Sequence, residues 1–173
     1  MMRPAFYPIL RAFTSLAVGI FALCVAPQVR AEEPAGEVVG FQDASGKTLF
    51  LHDFKGKPVL INLWATWCAP CIQEMPSLAK LQQDYASQGL VVLALSEDET
   101  LNLATDYYKK AGITNLTPYF DKEHAVYVAL NTQGLPTSAI ISAHGQILQR
   151  IEGPVDWQSP KVHALIDAVI KLK

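Results

Sequence analysis

Between residues 36 and 51 apolar and polar positions alternate around Asp43-Ala44-Ser45-Gly46, the pattern of a β-hairpin with one buried face. Val59–Trp64 is then an almost unbroken apolar run after Gly56-Lys57-Pro58, which predicts a strand buried on both sides. From Pro70 the apolar positions Ile72, Met75, Leu78, Ala79, Leu81 and Tyr85 recur at helical spacing as far as Gln88-Gly89. Residues 90–95 form a second apolar run. Strand, helix, strand in that order calls for a right-handed parallel crossover.

Farther along, residues 100–111 predict a helix with Thr100 as its cap and Gly112 as its stop. A short strand at 118–120 and a helix at 122–130 follow. Pro136 introduces a strand at 137–142, Gly145 turns the chain, and 146–151 returns as its antiparallel partner. The last helix covers 159–172, with Ser159 as cap and Pro160 at its first position. Together these elements predict one compact α/β domain with a mixed sheet.

The first 31 residues read differently. They carry Arg3, Arg11 and Arg30 and no acid, an uncharged apolar run over 12–27, and then Val29-Arg30-Ala31, which suits signal peptidase. This predicts an export signal cut after Ala31, leaving Glu32 to Lys173 as the mature domain. An uncleaved membrane anchor is the alternative, since residues 12–29 are uncharged and a spanning helix needs at least about 17 residues. Both readings place the domain outside the cytoplasm, in the periplasm. Cys24 lies in the apolar run, and Leu23 before it argues against lipidation.

Charge then narrows the function classes. The chain has a formal net charge of −2, and all 16 acids follow the first 31 residues. The domain is therefore acidic, without a basic cluster, which excludes nucleic-acid binding as an expectation. Nothing in the pattern asks for more than a monomer.

Two cysteines remain in the domain, Cys68-Ala69-Pro70-Cys71. A disulfide across two intervening residues closes too short a loop to constrain the unfolded chain appreciably. Chemistry is the better account. Cys68 falls where a buried strand ends and a helix begins, so helix N–H groups and the helix dipole favour its thiolate over the usual thiol of pKa about 8.5. Cys68 is the expected attacking thiol. Cys71, one turn into the helix, is placed to resolve a mixed disulfide. A metal site at the pair is the competing chemistry, but a structural zinc needs four ligands, and His52, His124, His144 and His163 stand in no recognisable spacing to the motif. All four histidines are expected in surface or packing roles, and neither cofactor nor metal is expected.

Trp64-Ala65-Thr66-Trp67-Cys68-Ala69-Pro70-Cys71-Ile72-Gln73-Glu74-Met75-Pro76 resembles the active-site segment of the thioredoxin superfamily, and within it the exported TlpA and ResA group of thiol-disulfide oxidoreductases. Asp43 to Lys47 with Leu51 to Lys57 resembles that group's N-terminal hairpin, and Gly134-Leu135-Pro136-Thr137 resembles its cis-proline loop. The resemblance implies a thioredoxin fold with an N-terminal hairpin and a central helix-strand insertion over 96–130. It implies a cis Pro136 facing the cysteines, a Leu135 backbone that pairs with an extended substrate, and contacts to the client from Trp67, Ala69 and Pro70. Trp67 could equally serve packing. Pro76 is expected to kink the active-site helix, where an internal proline costs about 3 kcal/mol.

One position departs from thioredoxin itself. Asn62 occupies the strand site where thioredoxin has a buried acid that helps move the resolving cysteine's proton, and asparagine cannot take a proton. Glu74 resembles an acid common in the exported group and is a candidate base, a partner of the helix dipole being the alternative. The group's usual direction is reduction. Clients of the group would be apocytochrome c, as in cytochrome c biogenesis, or copper-delivery proteins, with a membrane thiol-reductant protein as electron donor. Net oxidation of secreted proteins and metal carriage by the two cysteines are the alternatives.

Overall fold

The computed structural model describes residues 39–172, so the predicted signal segment and the first residues of the predicted hairpin lie outside the described residues. Among the described residues no helix is long and apolar enough to cross a membrane. The elements in order are β1 (Gly40–Asp43), β2 (Thr48–Phe50), β3 (Val59–Trp64), α1 (Ala69–Tyr85), β4 (Val91–Ser96), α2 (Leu101–Ala111), β5 (Tyr119–Phe120), α3 (Ala125–Ala129), β6 (Thr137–Ile141), β7 (Ile147–Glu152) and α4 (Pro160–Lys171). Seven strands make one mixed sheet in the order β2-β1-β5-β4-β3-β6-β7.

β3 is central because it is apolar enough to be buried on both faces. Every one of its residues is buried. It pairs in parallel with β4, from Val59 opposite Val91 to Trp64 opposite Ser96, and antiparallel with β6, where Leu63 lies opposite Thr137. Side chains alternate across the sheet. Leu60 and Trp64 therefore join a core with Met75 and Leu78 of α1, Tyr108 of α2 and Ile166 of α4. Ile61 and Leu63 join the opposite core with Phe41, Leu93, Leu95 and Val126. Truncating such a buried leucine to alanine costs about 2–5 kcal/mol. Asn62 shares the Leu60 and Trp64 side, which is the side that faces α1.

Pro76 lies inside α1 as expected. A proline lacks the N–H that would bond the carbonyl four residues back, here that of Ile72. The Tyr107 hydroxyl donates to this carbonyl at 3.4 Å, so α2 supplies what α1 lacks. α1 then tightens into a 3-10 turn over Ala86–Gln88 and stops at Gly89, whose φ of 94° is left-handed.

Several local expectations change. Thr100 and Ser159 occupy the N-cap positions of α2 and α4, yet neither side chain makes a capping bond. The helix expected over 122–130 is the shorter α3, because His124 has a left-handed φ of 50°. The cap of α3 comes from Asp121 instead. Its carboxylate accepts from the N–H groups of Ala125 and Tyr127, each at 2.9 Å, while its carbonyl accepts from His124 N at 2.9 Å.

Candidate active site

Cys68 and Cys71 lie where β3 hands over to α1, at the carboxyl edge of the central parallel strands, the usual place for a site in such sheets. Cys68 is the N-cap residue of α1, and its Sγ accepts from the Cys71 N–H at 3.4 Å. The two sulfurs are joined as a disulfide. Cys68 retains 6% exposure and Cys71 none, so the first cysteine is the one a partner can approach.

The loop that carries Cys68 is tied to the neighbouring strand. Asp98, just beyond β4, accepts from Thr66 N at 3.1 and 3.2 Å with its two oxygens and from Thr66 Oγ1 at 2.7 Å. The Ser96 hydroxyl donates to the same carboxylate at 2.7 Å. Charge-assisted bonds of this kind are the stronger sort. Sequence reasoning missed Asp98, although two acids directly after a buried parallel strand are a usable signal.

On one side of the cysteines stands the cis-proline loop. The Leu135–Pro136 peptide bond is cis, as the resemblance implied, and Pro136 is buried. Thr137 Oγ1 donates to the Gly134 carbonyl at 2.7 Å and Gly153 N to the Pro136 carbonyl at 2.9 Å, which holds the loop at both ends. Leu135 packs against the core that includes both cysteines. Ala69 is exposed and Pro70 half-buried at the start of α1. Trp67 is 69% exposed, so most of its indole faces solvent rather than the core.

Beneath the pair lies a buried polar network. Asn62 Nδ2 donates to Glu74 Oε1 at 2.7 Å and to Ser138 Oγ at 3.0 Å, and Val155 N donates to Glu74 Oε2 at 2.7 Å. The Trp157 indole approaches the same carboxylate without closing a well-formed bond. Burial pushes the Glu74 carboxyl above its usual range, and the bonds from Val155 and Asn62 pull it partly back. Glu74 lies beyond the first turn of α1, on the face it shares with Cys71 three residues earlier, and turns inward. Its position therefore does not serve the helix dipole.

A groove of about 540 Å³ opens beside the cysteines, lined by Trp67, Glu97, His124, Tyr127, Gly134 and Leu135. His124, expected in a surface or packing role, has its Nδ1 2.5 Å from Glu97 Oε2. Glu97 is buried and His124 exposed, so the pair joins the interior to the groove. Burial, opposed by the His124 bond, pushes Glu97 up to about 7, and the Glu97 bond raises His124 above its ordinary value. The two residues are 27 apart in sequence, and no periodicity reports such a pairing. The other histidines stay local: His52 stacks on Phe50, His163 meets the edge of Tyr85, and His144 is exposed at a turn.

The Redoxin family profile matches residues 26–166 of the chain. A ResA thiol-disulfide oxidoreductase of Bacillus thuringiensis subsp. konkukian is 37% identical over 111 residues, and the matched part spans 64% of this chain and 64% of that relative, a little under two thirds of its length. A ResA of Bacillus thuringiensis strain Al Hakam is 33% identical over 139 residues, covering 80% of this chain and 78% of the relative. Among solved structures, one from Neisseria meningitidis assigned as a thioredoxin superposes with a TM-score of 0.70 at 31% identity, over 81% of this chain and 92% of that one. A thioredoxin-family thiol:disulfide interchange protein of Chlorobium tepidum superposes with a TM-score of 0.59 at 28% identity, over 76% and 90%.

Proposed function

The chain belongs to the Redoxin family, with relatives of the ResA type, and from that premise we propose that it is an exported thiol-disulfide oxidoreductase that reduces disulfides in client proteins. The observation that carries the proposal is the Cys68 sulfur at the N-cap of α1, accepting the Cys71 N–H beside a cis Pro136. There the helix N-terminus stabilises a thiolate, which is the form that attacks a disulfide.

In this reading the Leu135 backbone aligns an extended client segment, with Trp67, Ala69 and Pro70 against it. The Cys68 thiolate attacks one client sulfur and the other leaves. Cys71 then attacks Cys68, which frees the client and closes the intramolecular disulfide. Glu74, held above its usual range by burial on the same helix face, takes the proton of Cys71 as that thiol becomes nucleophilic. A membrane thiol-reductant protein restores the dithiol in the periplasm, to which the arginine-flanked N-terminal segment directs the domain. Apocytochrome c with its haem-attachment cysteines, or copper-delivery proteins with reduced metal ligands, are the clients that fit.

The test is the equilibrium reduction potential of the Cys68 and Cys71 pair, titrated in glutathione and dithiothreitol buffers. A value near about −270 mV supports a reductant; one near about −120 mV overturns the direction and makes the protein an oxidant.

A further inference from the structure

The groove beside the cysteines contains a built arrangement that the dithiol mechanism leaves unused. His124 stands at a left-handed φ of 50°, a conformation a non-glycine residue holds only where its surroundings over-determine it. Those surroundings are present. The fully buried Asp121 takes the backbone N–H of His124 on its carbonyl and those of Ala125 and Tyr127 on its carboxylate. Glu97, with 3% of its side chain exposed, then fixes the ring through Nδ1. The imidazole is left 60% exposed in a groove whose other walls are Trp67, next to Cys68, and Leu135, next to the cis proline. A buried carboxylate that orients a histidine by one ring nitrogen and leaves the other free is the geometry of an acid–base catalyst.

We propose that His124, oriented by Glu97, is a general acid that protonates the departing sulfur of the client when Cys68 attacks. The proposal rests on the oxidoreductase reading and adds a residue to its first step. The bond between Cys68 and one client sulfur forms as the client disulfide breaks. The second client sulfur takes the bonding electron pair and, from His124 Nε2, a proton. His124 regains its proton from solvent before the next client. In the second step Cys71 displaces the first client sulfur, so the client leaves with two thiols and the protein with one disulfide, and the electrons balance.

The surroundings of His124 suit this task. Glu97, Asp121 and Glu123 are the charged groups that face it, all acidic, and Tyr127 and Trp67 complete the site. The Glu97 bond, with the charges of Asp121 and Glu123, favours the protonated ring over the neutral one. A general acid contributes most when the leaving group is a poor one, because a stable thiolate departs without help.

That dependence is the test. The full chain, reduced beforehand, is mixed with hydroxyethyl disulfide, whose leaving alkyl thiol needs a proton, and separately with dithiobis(nitrobenzoate), whose aryl thiolate does not. His124→Gln is expected to slow the alkyl reaction about tenfold or more and the aryl reaction less than about twofold. Glu97→Gln is expected to show the same asymmetry, smaller. In the unaltered protein the alkyl rate constant should pass through a maximum as pH rises, because it needs the Cys68 thiolate and the protonated histidine together, while the aryl rate rises to a plateau. Equal losses on both probes, no loss on either, or two pH profiles of one shape overturns the proposal. An unaltered protein that reacts with both disulfides no faster than dithiothreitol would instead defeat the oxidoreductase reading.

Discussion

The two sides of the cysteine pair each hold a buried glutamate, and they differ in how its charge is met. Glu74, on the inner side, has each oxygen engaged by a neutral donor, the Asn62 amide and the Val155 N–H. Glu97, on the groove side, has one oxygen on a titratable histidine, the other without a hydrogen-bond partner among the described residues, and the charge of Asp121 against it. Burial raises both carboxyls. Only the second is bonded to a titratable side chain that reaches solvent. Equal burial of the same residue type thus yields a fixed support on one side and an adjustable one on the other, and the partners decide which.

The strongest test of that contrast removes what lies between the two sides. Cys68→Ser should abolish disulfide reduction, and in that background neither glutamate substitution should have a further kinetic effect; residual reduction of a peptide disulfide above the buffer rate would show that the chemistry lies elsewhere. Next in size, Glu74→Ala strands the buried donors of Asn62 and Val155 and should cost about 2–4 kcal/mol in urea unfolding.

A pH experiment separates the glutamates further. Glu97 binds a proton in the folded state up to about pH 7 that the unfolded chain releases near 4.5, so its contribution to stability is complete below about 4.5 and is lost as pH rises through about 7. Urea midpoints of Glu97→Gln should therefore fall less over that interval than those of the unaltered protein. The smallest effect is expected where a polar group is idle. Ser159→Ala at the start of α4 should change stability by less than about 0.5 kcal/mol, whereas a working cap is worth about 1; a loss of the larger size in a thermal melt would show that the hydroxyl is engaged.

Burial and periodicity made most of the fold legible. The apolar run of β3, the helical spacing of α1 and the strand after it each report a face that must leave water, and the structure puts them where that requires. The cysteines were legible from their spacing, and the cis proline through the family resemblance of its loop. What escaped the sequence was polar pairing over distance. The Asp98 carboxylate reaches back 32 residues to Thr66, and Val155 reaches Glu74 across 81. The pattern over 122–130 exceeds the observed α3 because nothing local says that Asp121 closes a left-handed turn at His124. Hydrogen bonds of this kind depend on register between elements, which a residue pattern along the chain does not encode.

The clamp from Asp98 to Thr66 bears on where this domain tolerates change in length. It depends on β3 and β4 being in step, Trp64 opposite Ser96, so one residue inserted in either strand would carry the carboxylate away from the loop that bears Cys68. The residues between 99 and 133, which supply the far wall of the groove, are tied in as well: the Tyr107 hydroxyl donates to the Ile72 carbonyl of α1, and β5 pairs with β4 through Tyr119 opposite Leu95. An insertion within β3, β4 or β5 would therefore shift the Cys68 loop and the groove wall against each other. The distance between the dithiol and its groove is thus set by the register of neighbouring strands.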